Sequence, residues 1–184
     1  MITAHFTKPH ALFICAARVM LLALLSSTAM AQSPLFQPLY EVLTHPRCLN
    51  CHTKTEFPRQ GDERRRHDQL VVRGADNHGA PTLQCAACHQ DENVADDAVP
   101  GAPHWGLAPL SMAWEDLNAS KLCIALKDLS KNGNRSLSDL LRHMSEDELV
   151  LWGWSPGANR TTPPLSQSEF VDALTRWVNA GGPC

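Results

Sequence analysis

Long apolar runs are missing from most of this chain: beyond Ala31 no stretch approaches the ~20 apolar residues that a membrane span needs. An excess of positive charge is missing too. Lys8 and Arg18 fall in a segment expected to be removed, which leaves 14 basic residues against 19 acidic ones, a net −5, and argues against nucleic acid as a partner. Large rings are scarce, at 6% of residues, although five of them are Trp. With 184 residues, 43% of them hydrophobic, the chain can build one modest domain but hardly two independent ones. Thirteen Pro and ten Gly then predict long irregular stretches between helices, a composition common where a cofactor supplies part of the core.

What is present begins with an export signal. A positive region holding Lys8 and Arg18, the apolar run "VMLLALLSST" and the small-x-small site Ala29-Met30-Ala31 predict a leader over 1–31, cleaved after Ala31. The run is too short, and too closely preceded by Arg18, to read as an anchor. Of seven cysteines, Cys15 leaves with the leader, four form two Cys-x-x-Cys pairs, and Cys123 and Cys184 remain. In an oxidising compartment two leftover thiols are expected to pair.

Residues 32–184 read as a single domain with two halves. Over 32–110 the chain is loop-rich, with one short helix expected around "FQPLYEVLTH". Over 111–184 it turns helical. Ser120 is a candidate cap for a helix whose apolar face is Leu122, Ile124, Ala125, Leu126 and Leu129, broken by "KNGN". Ser136 is a candidate cap for "LSDLLRHM", Ser145 with Glu148 and Ser166 with Glu169 match capping boxes, and Gly181 is a stop after the face Phe170, Leu174, Trp177 and Val178. The expected fold is mostly α with long irregular loops and no substantial sheet.

Two motifs carry the chemistry. "CLNCH" (Cys48, Cys51, His52) and "CAACH" (Cys85, Cys88, His89) match at an offset of 37 residues, which also maps His67 onto His104. Two thiols three residues apart suit the two vinyl groups on one porphyrin edge, and the following imidazole reaches the iron. Two such motifs arise by chance in fewer than roughly one chain in a thousand. A four-cysteine zinc site competes, but zinc has no need of a histidine closing both pairs. A redox disulfide in each pair would want a strand-then-helix setting that the sequence lacks. The expectation is therefore two covalently bound haem c groups, with Cys48, Cys51, Cys85 and Cys88 as tethers and His52 and His89 as proximal iron ligands. His67 is the first candidate for a distal ligand, with His104 and His143 as candidates for the other iron; His45, His78, Met112 and Met144 complete the donors. Trp105 could pack on a porphyrin, and the run "RRRH" at 64–67 reads as a solvated turn or a seat for an anionic group.

Beyond the motifs, "VVRGADNHG", "VPGAPHWGLAPLSMAWEDL", "LCIALKDLSKNGNRSLSDLLRHM", "LVLWGWSPGANR" and the terminal "WVNAGGPC" resemble a family of small exported dihaem c-type cytochromes of Gram-negative bacteria, often labelled isoquinoline 1-oxidoreductase subunit. The resemblance spans nearly all of the chain after the leader. It implies a periplasmic electron-transfer protein that accepts electrons from a molybdenum hydroxylase-type dehydrogenase, with redox proteins as partners and no catalysis of its own. The alternative is a dihaem peroxidase-like enzyme keeping one iron open, for which about 150 residues is small. A haem-based sensor is a more distant reading, since no signalling domain follows.

Overall fold

In the computed structural model, residues 1–3, 33–94, 96, 98–157 and 159–184 are described. The expected leader, with Lys8, Cys15 and Arg18, lies outside the described residues. The chain divides into two units, Met1–Ala31 and Gln32–Cys184, and the second carries every element below.

Local sequence sets the helix boundaries. Helix α1 (Gln37–Leu43) takes Pro38 in its first turn, where a missing amide proton loses no partner. The single turn α2 (Pro46–Leu49) opens on Pro46, and the His45 side chain accepts the Arg47 amide at 3.2 Å. Helix α3 (Ala119–Lys127) is capped by Asn118, whose side-chain oxygen accepts from the Lys121 amide at 2.9 Å. The expected cap, Ser120, therefore sits inside the first turn. Ser136 caps α4 (Leu137–Glu146) in a reciprocal box with Asp139. Ser145 does not form the box expected with Glu148: it lies within α4 and donates its hydroxyl to Leu141 O at 2.7 Å, while Asp147 caps α5 (Glu148–Leu151). The Ser166–Glu169 box opens α6 (Gln167–Asn179) as expected, and Gly181 follows its end with φ +80°.

Helices α1, α3, α4 and α6 share one apolar core of Phe36, Leu39, Val42, Leu122, Leu126, Leu140, Met144, Phe170, Leu174 and Trp177. On α3 the buried face is Ala119, Leu122, Cys123 and Leu126, at the 3- and 4-residue spacing of a helical stripe. Ile124 is turned to the far side and Leu129 lies past the helix end, so both are more than half exposed, contrary to the expected face. A C-terminal strap closes this core. Cys123 and Cys184 are joined as a disulfide with Cα atoms 5.6 Å apart, Trp177 Nε1 donates to Pro183 O at 2.9 Å, and the Ser33 amide donates to Cys184 O at 3.1 Å.

The residues between α2 and α3 fold differently. Their only strands among the described residues are two antiparallel pairs of two residues each, β1 (Arg59–Gln60) with β2 (Arg65–Arg66) and β3 (Gly79–Ala80) with β4 (Leu83–Gln84). In place of an apolar core, the buried Arg73 guanidinium donates to Thr53 O, Thr55 O, Ala108 O and Asn77 Oδ1, tying three loop segments to one side chain. Gly74 makes the tightest approach: with φ +72°, a Cβ there would lie 1.9 Å from Gly79 O. The fold is thus mostly α with long irregular loops and no substantial sheet. No helix among the described residues is long and apolar enough to cross a membrane.

Candidate cofactor-binding site

The two Cys-x-x-Cys-His motifs stand in unlike settings. Cys48 lies on α2, and with Cys51 and His52 it faces a cavity whose other walls come from the helical core: Leu126, Leu140, Met144 and Phe170. Burial pushes the Cys48 thiol up to about 12 and the Cys51 thiol up to about 11, so both sulfurs are uncharged, as an apolar wall requires. Cys85 and Cys88 instead flank a 3₁₀ turn, Cys85–Ala87, with Cys88 exposed. All four are free thiols, whereas Cys123 and Cys184 are paired. Among the described residues no three His, Cys, Asp or Glu side chains are grouped as a bare metal ion would need.

Each motif histidine is nevertheless held by the same device. His52 Nδ1 lies 2.8 Å from Met112 O and its ring stacks on Trp114, with centroids 3.4 Å apart and planes 8° from parallel. His89 Nδ1 lies 2.6 Å from Pro100 O and its ring stacks on Trp105 at 4.5 Å and 9°. A carbonyl accepts only from N–H, so Nδ1 carries the proton and Nε2 keeps its lone pair. Burial outweighs the Met112 hydrogen bond and pushes His52 down to about 4, and burial likewise lowers His89 against its bond to Pro100. Both rings are neutral at pH 7, oriented by their outer nitrogen, which is how a metal-ligating imidazole is set.

The candidate distal histidines separate between the two motifs. His143, on α4, lines the same cavity as His52, and its charge is felt there. Its Nδ1 lies 3.3 Å from Asp147 Oδ2, which leaves Nε2 free. His67 lies against the other motif: its ring centroid is 6.1 Å from that of His89. Two imidazoles each ~2.0–2.1 Å from a shared metal put their centroids about 6 Å apart, so this pair has the spacing of two axial ligands. His67 Nδ1 is buried without a hydrogen-bond partner, a donor or lone pair that a metal would satisfy. His104, its counterpart at the 37-residue offset, is exposed at φ +61° and lines the cavity of the first motif, as do His78 and Met112. Met112 already serves that motif through its carbonyl. His45 caps α2 and takes no part.

Trp105 packs on the His89 imidazole, and its other contact is an edge-on approach to Trp152 at 4.7 Å. Trp152 lines the first cavity, so a chain of rings runs from His89 to the surroundings of His52. In the "RRRH" run Arg65 and Arg66 are exposed, Arg65 pairing with Asp68 and Arg66 lying 4.5 Å over the Phe57 ring, while Arg64 pairs with Glu115 at 2.7 Å. Sequence reading missed Trp114, Arg73 and the two backbone carbonyls. Trp114 follows His52 by 62 residues and Trp105 follows His89 by 16, so no common offset marked them.

At the second motif the residues present fit a haem group, with paired thiols beside an oriented imidazole and a second imidazole 6.1 Å from it; at the first, the paired thiols and the oriented imidazole share a cavity with His143. No family model, curated protein or solved structure matches the chain.

Proposed function

We propose that this chain is a dihaem c-type cytochrome of the periplasm, carrying electrons from a molybdenum hydroxylase-type dehydrogenase toward the respiratory chain. One observation carries the reading: two otherwise unlike settings hold the motif histidine in the same way, by a carbonyl at Nδ1 and a Trp plate, with His67 6.1 Å from His89 and His143 lining the same cavity as His52. Cys48 and Cys51 would tether one haem and Cys85 and Cys88 the other, with His52 and His143 on the first iron and His89 and His67 on the second. Iron between two imidazoles exchanges single electrons between its ferrous and ferric states without an open position for substrate.

The protein's own part is orientation and exclusion of water. Met112 O and Pro100 O fix the tautomer of each proximal ring, and Trp114 and Trp105 fix its plane. Arg135 lies close enough to lower both His52 and His143, a fixed positive charge beside that pair. The dehydrogenase and the periplasm rest on the resemblance and on the leader, not on these contacts.

The purified exported protein should carry two haems per chain that resist acid-acetone extraction. In the oxidised state both should be low-spin and bind no cyanide, and in the reduced state neither should bind carbon monoxide. A colourless protein, or extractable haem, refutes covalent attachment; a high-spin haem that reacts with peroxide makes the protein a peroxidase-like enzyme.

A further inference from the structure

Building on the dihaem reading, and on His143 as the distal ligand of the first iron, we propose that Asp147 is a positioning residue for that ligand. Its carboxylate accepts the His143 Nδ1 proton and draws the potential of the first iron below what a carbonyl in its place would give. The two residues are four apart at the end of α4, with Nδ1 3.3 Å from Oδ2. Asp147 is held from both sides. Its amide donates to His143 O at 3.2 Å, closing α4, and its Oδ1 accepts the Leu149 and Val150 amides at 3.0 and 3.3 Å, opening α5. One carboxylate oxygen thus serves the cap, and the other is turned to the imidazole. No Lys or Arg forms an ion pair with Asp147 among the described residues.

The other three imidazoles of the two sites have no such partner. His52 and His89 each meet a backbone carbonyl at Nδ1, at 2.8 and 2.6 Å, and His67 Nδ1 is buried without a hydrogen-bond partner. A carbonyl oxygen carries a partial charge and a carboxylate a full one. The stronger acceptor pulls on the Nδ1 proton, makes the ring a more electron-rich donor at Nε2, and so favours ferric over ferrous iron. Asp147 is therefore the residue that sets the two otherwise similar sites apart. Arg135, which lines the same cavity with its Nη1 donating to Asn132 O at 3.0 Å, acts in the opposite sense, but through space and not through the ligand.

Potentiometric titration of the holoprotein, with electron paramagnetic resonance of its oxidised form, tests the assignment. Asp147→Asn is isosteric and keeps an oxygen for the α5 amides, but the NH2 group in place of Oδ2 cannot accept from Nδ1. The variant should favour the ferrous state of one haem by about tenfold, an upward shift of about 59 mV for one electron, and leave the other potential unchanged. One of the two low-spin ferric signals should move with it. Glu146→Gln removes the same charge at the neighbouring exposed position and should change either equilibrium by about twofold at most. His143→Met should alter the same haem as Asp147→Asn. If that variant alters one haem while Asp147→Asn does no more than Glu146→Gln, the role of Asp147 is overturned and the dihaem reading stands. If His143→Met leaves both haems as they were, His143 is no ligand and the inference falls with it. Absence of haem bands in the wild type overturns the dihaem reading itself.

Discussion

The two motifs share a chemistry and differ in how the chain supports it. His52 rests on Trp114 above an apolar core of four helices, with His143 presented from α4, a rigid element capped at its start. His89 and His67 both come from loops beside two-residue ribbons, His67 following β2 and Cys85 following β4. An apolar core resists deformation because every displaced methylene loses contacts, whereas a hydrogen-bonded loop loses little until its central donor goes. The helical core should therefore follow the stability of the bundle, and the loops over 53–108 that of one buried guanidinium.

The strongest way to break this division is at the strap. The disulfide closes a 61-residue loop, worth about 4 kcal/mol in the chain-entropy model, so Cys184→Ser should lower stability by that order. Denaturant unfolding followed by tryptophan fluorescence measures it, and the loss should fall on the bundle and the first site. Leu174→Ala, at a wholly buried position of α6, should cost about 3 kcal/mol with the same distribution. Arg73→Met cuts the other way. Leaving Thr53 O, Thr55 O and Ala108 O without their donor should cost about 2–3 kcal/mol, with hydrogen exchange rising across 53–108 while amides of α4 and α6 stay protected. Exchange that rises equally in both regions would abolish the distinction.

How much of this was legible in the sequence follows the same division. Capping residues and 3.6-residue stripes act locally, so α4, α6 and the stop at Gly181 could be read directly. Errors came where two residues compete for one role: Asn118 against Ser120, and Asp147 against Ser145. The motif cysteines and histidines could be named from the sequence because their spacing lies within five consecutive residues. The Trp114 plate and the Met112 carbonyl were not, because they reach His52 only through the packing of a distant loop. The placement of α1 was misjudged for the same reason: it belongs by sequence to the loop-rich half and by packing to the helical core.

Exchanging the distal candidates sharpens the comparison at the level of chemistry. A His–Met pair holds iron at a higher potential than two histidines, so His143→Met and His67→Met should each raise one midpoint potential by on the order of 0.1 V and leave the other nearly unchanged. Potentiometric titration resolves the two. If neither variant moves a potential, the His52–His143 and His89–His67 assignment is wrong, and His104 or His78 at the cavity rim takes the place of His143.

The smallest effect concerns the one carboxylate that spans both regions. Glu115 follows the Trp114 plate of the first site. Its oxygens accept from Thr53 Oγ1 at 2.8 Å and the Lys54 amide at 3.0 Å, and pair with Arg64 at 2.7 Å and Arg59 at 3.5 Å in the ribbon leading to His67. Burial opposes its ionisation, but the hydrogen bonds from Lys54 and Thr53 and the charges of Arg64 and Arg59 outweigh it and hold the carboxyl below the usual glutamate range. A folded-state value below the unfolded one means that the unfolded chain binds the proton more tightly in acid. The stabilisation is therefore complete well above the ordinary glutamate value of about 4.3 and is lost as pH falls through it toward the folded value. Glu115→Gln should cost about 1–2 kcal/mol at pH 7 and progressively less as pH drops to 3, so that the wild-type and variant stability curves converge in acid. Unfolding free energies measured across that range decide it: curves that stay parallel would show that Glu115 stabilises by shape and not by charge, and that the link between the two sites is not electrostatic.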